Sequence, residues 1–195
     1  MSREMVSPIM LNVPESFESS RLLIRAPLWG DGAQLNKAVI ESRAELLPWM
    51  PWAAQLPSVE DSELVIRSSR VKYLERTDLM LLLFLKDTGQ LIGSSGLHRI
   101  DWETRKFEIG YWVRSSFGAK GYISEAVEAI TDFAIQELEA NRMEIRCDAR
   151  NSRSAKVAER SGYTCEGILR KEKPSVDGSL QDTMIFAKVR GFEFQ

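Results

Sequence analysis

Hydrophobic and polar positions along the 195-residue chain follow two repeating patterns, which together predict a mixed α/β domain. Residues 79–86 are almost entirely apolar, which predicts a central strand covered on both faces. A turn at residues 87–90, Asp-Thr-Gly-Gln, leads into predicted strands at 91–100 and 105–113. These three strands are therefore expected to form an antiparallel meander.

Helical spacing predicts four helices around these strands. The first starts at Asp31 and ends before the segment LLPWMPW, where two prolines prevent it from continuing. Ser58 and Asp61 form a capping-box pattern ahead of the second helix. The third helix, at residues 123–140, carries a regular apolar stripe, and the fourth begins at Ser152.

The order of these elements indicates one domain with a crossover at its centre. The remaining strands are predicted at residues 20–26, 142–149, 163–169 and 183–189. Because the helix at 123–140 separates two strand patterns, it predicts a βαβ unit. The expected fold is α/β (α+β), a single mixed, mostly antiparallel sheet with helices on both faces. We expect this domain over residues 18–190, an N-terminal arm over 1–17 and a C-terminal tail over 191–195.

Composition narrows the class of protein. Hydrophobic residues make up 44% of the chain, charged residues 28%, and the net charge is −2, as in an ordinary globular protein. This balance predicts neither a nucleic-acid nor a membrane partner. The first residues lack the apolar stretch of a signal peptide. With only Cys147 and Cys165 available, a reduced, cytoplasmic protein is expected.

A short glycine-bearing loop, residues 114–122, joins a predicted strand to the long helix. Free N–H groups and the helix dipole make such a position an anion site. Gly118, Lys120 and Gly121 lie there, but they match neither the Walker loop nor the dinucleotide fingerprint. The loop suits a diphosphate held by backbone N–H groups, but a glycine pair by itself favours the alternative, an ordinary strand-to-helix turn.

Glu108 interrupts the apolar strand FEIGYWV, where it shares one face with Gly110 and Trp112. A carboxylate desolvated by such neighbours suits a general base acting on an amine. The alternative is a structural ion pair with Arg105 or Arg146.

Two further polar or aromatic clusters allow a functional and a structural interpretation. Asn151 and Ser152 have the residue types of a helix N-cap, which leaves the Ser154 hydroxyl available to face a cleft. Trp49 and Trp52, on the proline-stiffened loop, form either a cleft wall or the edge of the core.

Taken together and in this order, the motifs resemble the GCN5-related N-acetyltransferase (GNAT) superfamily, and within it the RimJ/RimL group of protein N-terminal acetyltransferases. The resemblance spans about residues 18–190 and rests on LLPWMPW, LIGSSGLHRID, FEIGYWV, GAKGYISEAV, ARNSRSAKVAERSGYTCEGILR and the late aspartate of QDTMIFA. It implies acetyl-CoA as donor and an amine as acceptor, most simply the N-terminal α-amino group of a protein such as a ribosomal protein. A small amine (polyamine, aminoglycoside or amino acid) is the alternative acceptor. A non-catalytic acyl-CoA-binding module is the least favoured function.

The resemblance also implies roles for individual residues. Glu108 falls at the position of a general base, and Ser154 at that of a general acid for the leaving thiolate. The aromatic loop with Trp49 and Trp52 is expected to hold the acceptor. The implied donor-binding residues are Trp112, Val113, Gly118, Ala119, Lys120, Gly121, Tyr122, Ile123, Ser124 and Asn151.

The loop departs from the family pattern at three positions. Gly118 stands where glutamine or arginine is usual, Ala119 where glycine is common, and Ile123 where glycine or alanine is usual, whereas Gly121 keeps the fixed glycine. No metal is implied, and His98, the single histidine, is expected to be structural, with a catalytic role as the alternative. A monomer or a homodimer is expected.

Overall fold

The computed structural model describes residues 7–195, which form one eight-stranded sheet and four α-helices. The strands are β1 Ser16–Glu18, β2 Leu22–Arg25, β3 Leu79–Leu85, β4 Leu91–Asp101, β5 Lys106–Val113, β6 Arg142–Asp148, β7 Thr164–Pro174 and β8 Leu180–Val189. The helices are α1 Gly32–Leu46, α2 Val59–Glu75, α3 Tyr122–Glu137 and α4 Ser152–Arg160. The predicted α/β class with a single mixed sheet is confirmed.

The sheet order is β1-β2-β3-β4-β5-β6-β8-β7. Every neighbouring pair is antiparallel except β5 and β6, which run parallel and are joined through α3. The predicted meander of β3, β4 and β5 is therefore correct, and so is the βαβ crossover at the centre.

The parallel pair separates soon after it starts. Pairing between β5 and β6 covers only residues 106–108 and 142–144. Within residues 7–195, β5 continues beyond Glu108 to Val113 paired only with β4, and β6 continues to Asp148 paired only with β8. An opening therefore lies between residues 109–113 and 145–148, and we call it the central gap. Backbone groups along its edges are free to bind a ligand in place of a strand.

Helices cover both faces of the sheet. On one face, α1 and α2 pack on Leu82 and Phe84 of β3, and on the other, Leu81 and Leu83 belong to the core that α3 and α4 cover. Successive side chains of β3 thus enter opposite cores, which explains why this strand is apolar throughout. We refer to the two sides as the α1/α2 face and the α3/α4 face.

Local signals set the helix ends as expected. Ser58 and Asp61 form a capping box at the start of α2. The stripe predicted on α3 is buried at Ala126, Val127, Ile130, Phe133 and Ala134.

The N-terminal region contributes more to the sheet than its sequence predicts. A strand, β1, lies partly within the predicted arm, and Phe17 stacks on Phe133 of α3 with ring centroids 4.3 Å apart. Three residues are too few to display an alternating pattern, so this strand was not predicted. Residues 1–6 of the arm lie outside the described part of the chain, and the division into arm, domain and tail stays a prediction.

Candidate active site

The loop before α3 presents unpaired backbone donors. Gly121 precedes the helix with φ of +80°, and no side chain caps the helix there. The N–H groups of Tyr122, Ile123 and Ser124 have no hydrogen-bond partner within residues 7–195. Such donors at the positive end of a helix dipole form a site for a phosphate-bearing ligand. A side chain at residue 121 would be strained at this φ and would point at the Arg21 guanidinium, whose Nη2 atom lies 3.5 Å away.

Arg21 holds this loop from the opposite end of the chain. Its Nε donates to Glu125 on α3 at 2.6 Å, and its Nη1 donates to the Lys120 carbonyl oxygen at 3.2 Å. The guanidinium lies over the Tyr122 ring, 4.2 Å from its centroid. Arg21 therefore fixes the loop to the first turn of α3. It also brings a positive charge to the loop, in which Gly118 stands where the family usually has glutamine or arginine. Sequence reasoning missed Arg21 because no local pattern links residues 21 and 125.

Glu125 is ionised within this contact. Its partial burial by itself would raise the carboxyl pKa, but hydrogen bonds from Ser19 and Arg21 outweigh that effect and hold the pKa below its usual range. Lys120, the lysine of the loop, donates from Nζ to the Ser116 carbonyl oxygen at 2.8 Å.

One edge of β5 lines the central gap. The Arg114 N–H donates to the Ile92 carbonyl oxygen on the β4 side. Because successive peptide groups of a strand point to opposite edges, the Trp112 N–H also faces β4. The N–H groups of Tyr111 and Val113 therefore face the gap, which favours Val113 over Trp112 as a backbone contact.

Across the gap, the start of α4 provides the polar cluster. Asn151 caps the helix by accepting from the Ser154 N–H at 3.1 Å, so the Ser154 hydroxyl has no capping role. That hydroxyl oxygen lies 3.0 Å from the Tyr111 hydroxyl. Burial raises the pKa of Tyr111, which keeps its hydroxyl protonated. Tyr111 is a second residue that sequence reasoning missed, because it reads as an ordinary strand aromatic.

Cys147 lies near the same cluster, but no contact within residues 7–195 activates its thiol as a nucleophile. Burial raises the pKa of its thiol, although the Ser154 hydroxyl acts in the opposite direction. A protonated, buried thiol is a poor nucleophile.

Glu108 does form an ion pair, but not with either predicted arginine. Its carboxylate lies 3.3 Å from the Arg99 guanidinium, whereas Arg105 contacts Glu139 and Arg146 contacts Glu172. The pairing of β4 and β5 shifts between His98 and Asp101, where Arg99 has a positive φ of 45°, and this irregularity turns Arg99 toward Glu108. The predicted partners were wrong because a bulge of this kind has no signature in the sequence.

The candidate catalytic residues lie on opposite faces of the sheet. Glu108 shares the α1/α2 face with Trp112, which packs against the core under α1. Tyr111, and with it Ser154, belongs to the α3/α4 face. The central gap is the opening through which both sets can reach one ligand.

Of the two predicted acceptor-binding residues, Trp49 and Trp52, only Trp52 lies beside β5 as an aromatic partner within the described chain. Its ring centroid lies 6.0 Å from that of Trp112, and its side chain is half exposed. Trp49 is also partly exposed but forms no aromatic pair within the described chain. The structure thus brings Trp52 to the site and leaves Trp49 without such a contact.

In residues 7–195, no group of three or more histidine, cysteine, aspartate or glutamate side chains is arranged to hold a metal ion. None of the helices in that part of the chain is long and apolar enough to cross a membrane. The expected cytoplasmic location stays a prediction.

Comparison with known proteins identifies the class. The family signature described as an acetyltransferase (GNAT) domain matches residues 21–164. A putative ribosomal N-acetyltransferase, YdaF of Bacillus subtilis, is 34% identical over 142 residues, or 72% of this chain and 76% of that protein. The ribosomal-protein-serine acetyltransferase of Escherichia coli is 27% identical over 80% of this chain and 85% of its own length.

Solved structures show the same fold. RimL, a ribosomal L7/L12 α-N-protein acetyltransferase in complex with coenzyme A, has a TM-score of 0.82 at 22% identity, covering 91% of this chain and 97% of its own. The microcin C7 self-immunity acetyltransferase MccE, in complex with acetyl-CoA and AMP, has a TM-score of 0.83 at 24% identity, covering 91% of this chain and 98% of its own. The chain belongs to the GNAT acetyltransferase family, and it is an N-acetyltransferase.

Proposed function

We propose that this N-acetyltransferase uses acetyl-CoA to acetylate the N-terminal α-amino group of a protein, in the manner of the ribosomal-protein acetyltransferases it resembles. The observation that carries the proposal is the central gap. It joins the anion-binding loop and Ser154 on one side of the sheet to Glu108 on the other.

The donor enters from the α3 side. The diphosphate binds the N–H groups of residues 122–124, with Gly118, Ala119, Lys120 and Gly121 forming the loop around it. The extended pantetheine arm then occupies the gap, where the Val113 N–H acts as a strand-like partner and Asn151 lies across from it. Named relatives that bind this class of ligand, RimL with coenzyme A and MccE with acetyl-CoA, support the assignment.

Transfer is direct and needs no covalent enzyme intermediate. The neutral amine attacks the thioester carbonyl carbon, and the C–N bond forms as negative charge collects on the oxygen. Backbone N–H groups at the gap edge, Val113 foremost, stabilise that charge. Glu108, through a water, takes one proton from the amine nitrogen. The C–S bond then breaks, and the thiolate receives a proton from the Ser154 hydroxyl, which solvent replaces.

An α-amino group suits this machinery better than a lysine side chain. Its reference pKa is about 8, compared with about 10.4 for lysine, so it is more often neutral near pH 7. Trp52, exposed beside Trp112, offers an aromatic surface to the first residues of an extended peptide.

Charge on the acceptor side argues against a polyamine. A polycation would need unpaired carboxylates, but three glutamates of β5, β6 and β7 are each matched by an arginine. The pairs are Glu108–Arg99, Glu144–Arg142 and Glu172–Arg146, and Arg142 also pairs with Glu166 of β7. This balance favours a neutral or mixed-charge peptide over a small polycationic amine.

A thiol-release assay with acetyl-CoA tests the proposal. The acceptors are peptides with free N-termini, the same peptides with blocked N-termini and one internal lysine, polyamines and aminoglycosides. We expect release with free N-terminal peptides only, and mass spectrometry should locate the acetyl group on the α-nitrogen. Preferential turnover of a polyamine or an aminoglycoside would replace the proposal with small-amine acetylation.

A further inference from the structure

His98, expected from the sequence to be structural, lies on the acceptor side of the sheet. On β4 it stands directly opposite Glu108 of β5, so both side chains project from the α1/α2 face. The next pair on the same face of the sheet is Gly96 opposite Gly110. No side chain therefore lies between the imidazole ring and the backbone at these two positions.

The ring lies across these two glycines. A Cβ atom at Gly110 would be 3.0 Å from His98 Cδ2 and 3.2 Å from Nε2, and one at Gly96 would be 3.1 Å from Cε1. Any larger residue at position 110 would displace the ring from the β5 backbone. Glycine weakens a strand interior, so Gly110 marks a site where another group, here the imidazole, approaches the backbone closely. At Gly96 the neighbouring strand β3 also requires glycine, because an added Cβ would be 2.7 Å from the Leu79 carbonyl oxygen.

Asp78 fixes the orientation of the ring. Its Oδ2 lies 2.7 Å from His98 Nδ1, and both side chains remain about one-third exposed. A carboxylate only accepts hydrogen bonds, so in the neutral imidazole the proton is held on Nδ1 and Nε2 is left as the acceptor. Within residues 7–195 no group donates to Nε2. That atom lies beside Gly110, 3.2 Å from the place of an added Cβ, and Gly110 precedes Tyr111, whose N–H faces the central gap.

We propose that His98 is a further catalytic residue, whose Nε2 atom takes the proton of the attacking amine directly. This inference rests on the proposed function. In it, the imidazole replaces the water that would otherwise carry the proton from the amine to Glu108. The amine proton moves to Nε2 as the C–N bond forms, giving an imidazolium that is hydrogen-bonded to the Asp78 carboxylate and lies opposite Glu108 on the neighbouring strand. After the products leave, the imidazolium returns the proton to solvent. Among the described residues, Arg99 forms the ion pair with Glu108 and so brings a positive charge to the carboxylate opposite His98.

The tautomer of His98 can be measured without any turnover. Because the chain contains a single histidine, a two-bond ¹H–¹⁵N correlation spectrum of the labelled full-length protein contains one imidazole pattern. It is recorded at about pH 8.5, above the range in which imidazoles ordinarily titrate. We expect the Nδ1–H tautomer, and a spectrum of the Nε2–H tautomer would overturn the proposal, because that nitrogen would then have no lone pair to accept a proton.

A second experiment separates catalysis from structure. In His98→Asn the amide nitrogen takes the place of Nδ1, so the donor to Asp78 is kept while the acceptor at Nε2 is removed. We expect kcat to fall roughly a hundredfold, as for loss of a general base, with the melting temperature and acetyl-CoA binding retained. An unchanged kcat would overturn the proposal. If the variant does not fold, the tautomer of the wild-type protein decides the question. A wild-type protein that acetylates no acceptor would instead contradict the proposed function and leave the tautomer measurement valid.

Discussion

At the scale of single residues, a substitution at Ser154 distinguishes a catalytic role of its hydroxyl from a capping role. Asn151 supplies the cap of α4, and the Ser154 hydroxyl bonds Tyr111 instead. Ser154→Ala should therefore lower kcat by at least tenfold and the stability by well under 1 kcal/mol, as expected for a side chain outside the cap.

The matched control is Ser58→Ala, which removes the cap of α2. That variant should lose about 1 kcal/mol of stability and keep its rate. Thermal melts and thiol-release rates of the two variants give the comparison. If Ser154→Ala keeps its rate and loses stability as Ser58→Ala does, Ser154 is structural.

Glu108 belongs to the same scale. Glu108→Gln removes the carboxylate with almost no change of shape, so the rate should fall roughly 10² to 10⁴-fold. The deficit should shrink as the pH rises, because more of the amine then loses its proton without help. Rates from pH 6 to pH 9 with one peptide acceptor test this expectation, and full activity at pH 7 would remove Glu108 from the mechanism.

At the scale of elements, the loop before α3 depends on the left-handed conformation of Gly121. Gly121→Asp introduces both backbone strain and a negative charge where phosphates approach. The rise in melting temperature that acetyl-CoA produces in the wild type should disappear in this variant.

Gly89→Asp is the control for strain alone. Gly89 has a φ of +65° in the β3–β4 hairpin, and an added Cβ there meets no atom within 4 Å. That variant should lose some stability and keep its response to acetyl-CoA. A normal acetyl-CoA response in a folded Gly121→Asp protein would place the donor site elsewhere.

The link between Arg21 and α3 should respond to acid. The folded pKa of Glu125 lies below its unfolded value of about 4.3, so the ionised carboxylate favours the folded state. This contribution is complete above about pH 5 and is lost as the pH falls through the lowered folded pKa.

Thermal melts of Glu125→Gln and the wild type between pH 7 and pH 3 provide the check. The difference in melting temperature between them should be constant above about pH 5 and shrink below about pH 4. Glu128→Gln, one turn further along α3, removes an exposed carboxylate that forms no hydrogen bond or ion pair within residues 7–195, and it is the control for the change of charge alone. A difference for Glu125→Gln that persists unchanged to pH 3 would contradict the assigned ion pair.

At the scale of the whole molecule, the sequence predicts what depends on local periodicity. The apolar run of β3, the stripe of α3 and the capping box of α2 each follow from residue types a few positions apart, and all three are found. The meander and the crossover follow from the order of these elements.

What the sequence leaves out depends on contacts between distant segments. The hydrogen bonds between Arg21 and Glu125 span 104 residues, and no pattern within either segment predicts them. The ion pair of Glu108 depends on an irregularity near Arg99, and the role of His98 depends on two glycines that meet only when β4 and β5 pair. The width of the central gap is likewise a property of the assembled sheet.

The central claim is that acetyl-CoA occupies this gap and reaches the loop before α3. Residue-resolved amide hydrogen exchange, with and without acetyl-CoA, tests it most directly. Exchange should become slower on binding at the N–H groups of Val113 and Tyr111 and of residues 122–124, with no change along the exposed edge strand β7. Binding of acetyl-CoA that leaves exchange unchanged at both β5 and the start of α3 would contradict the account.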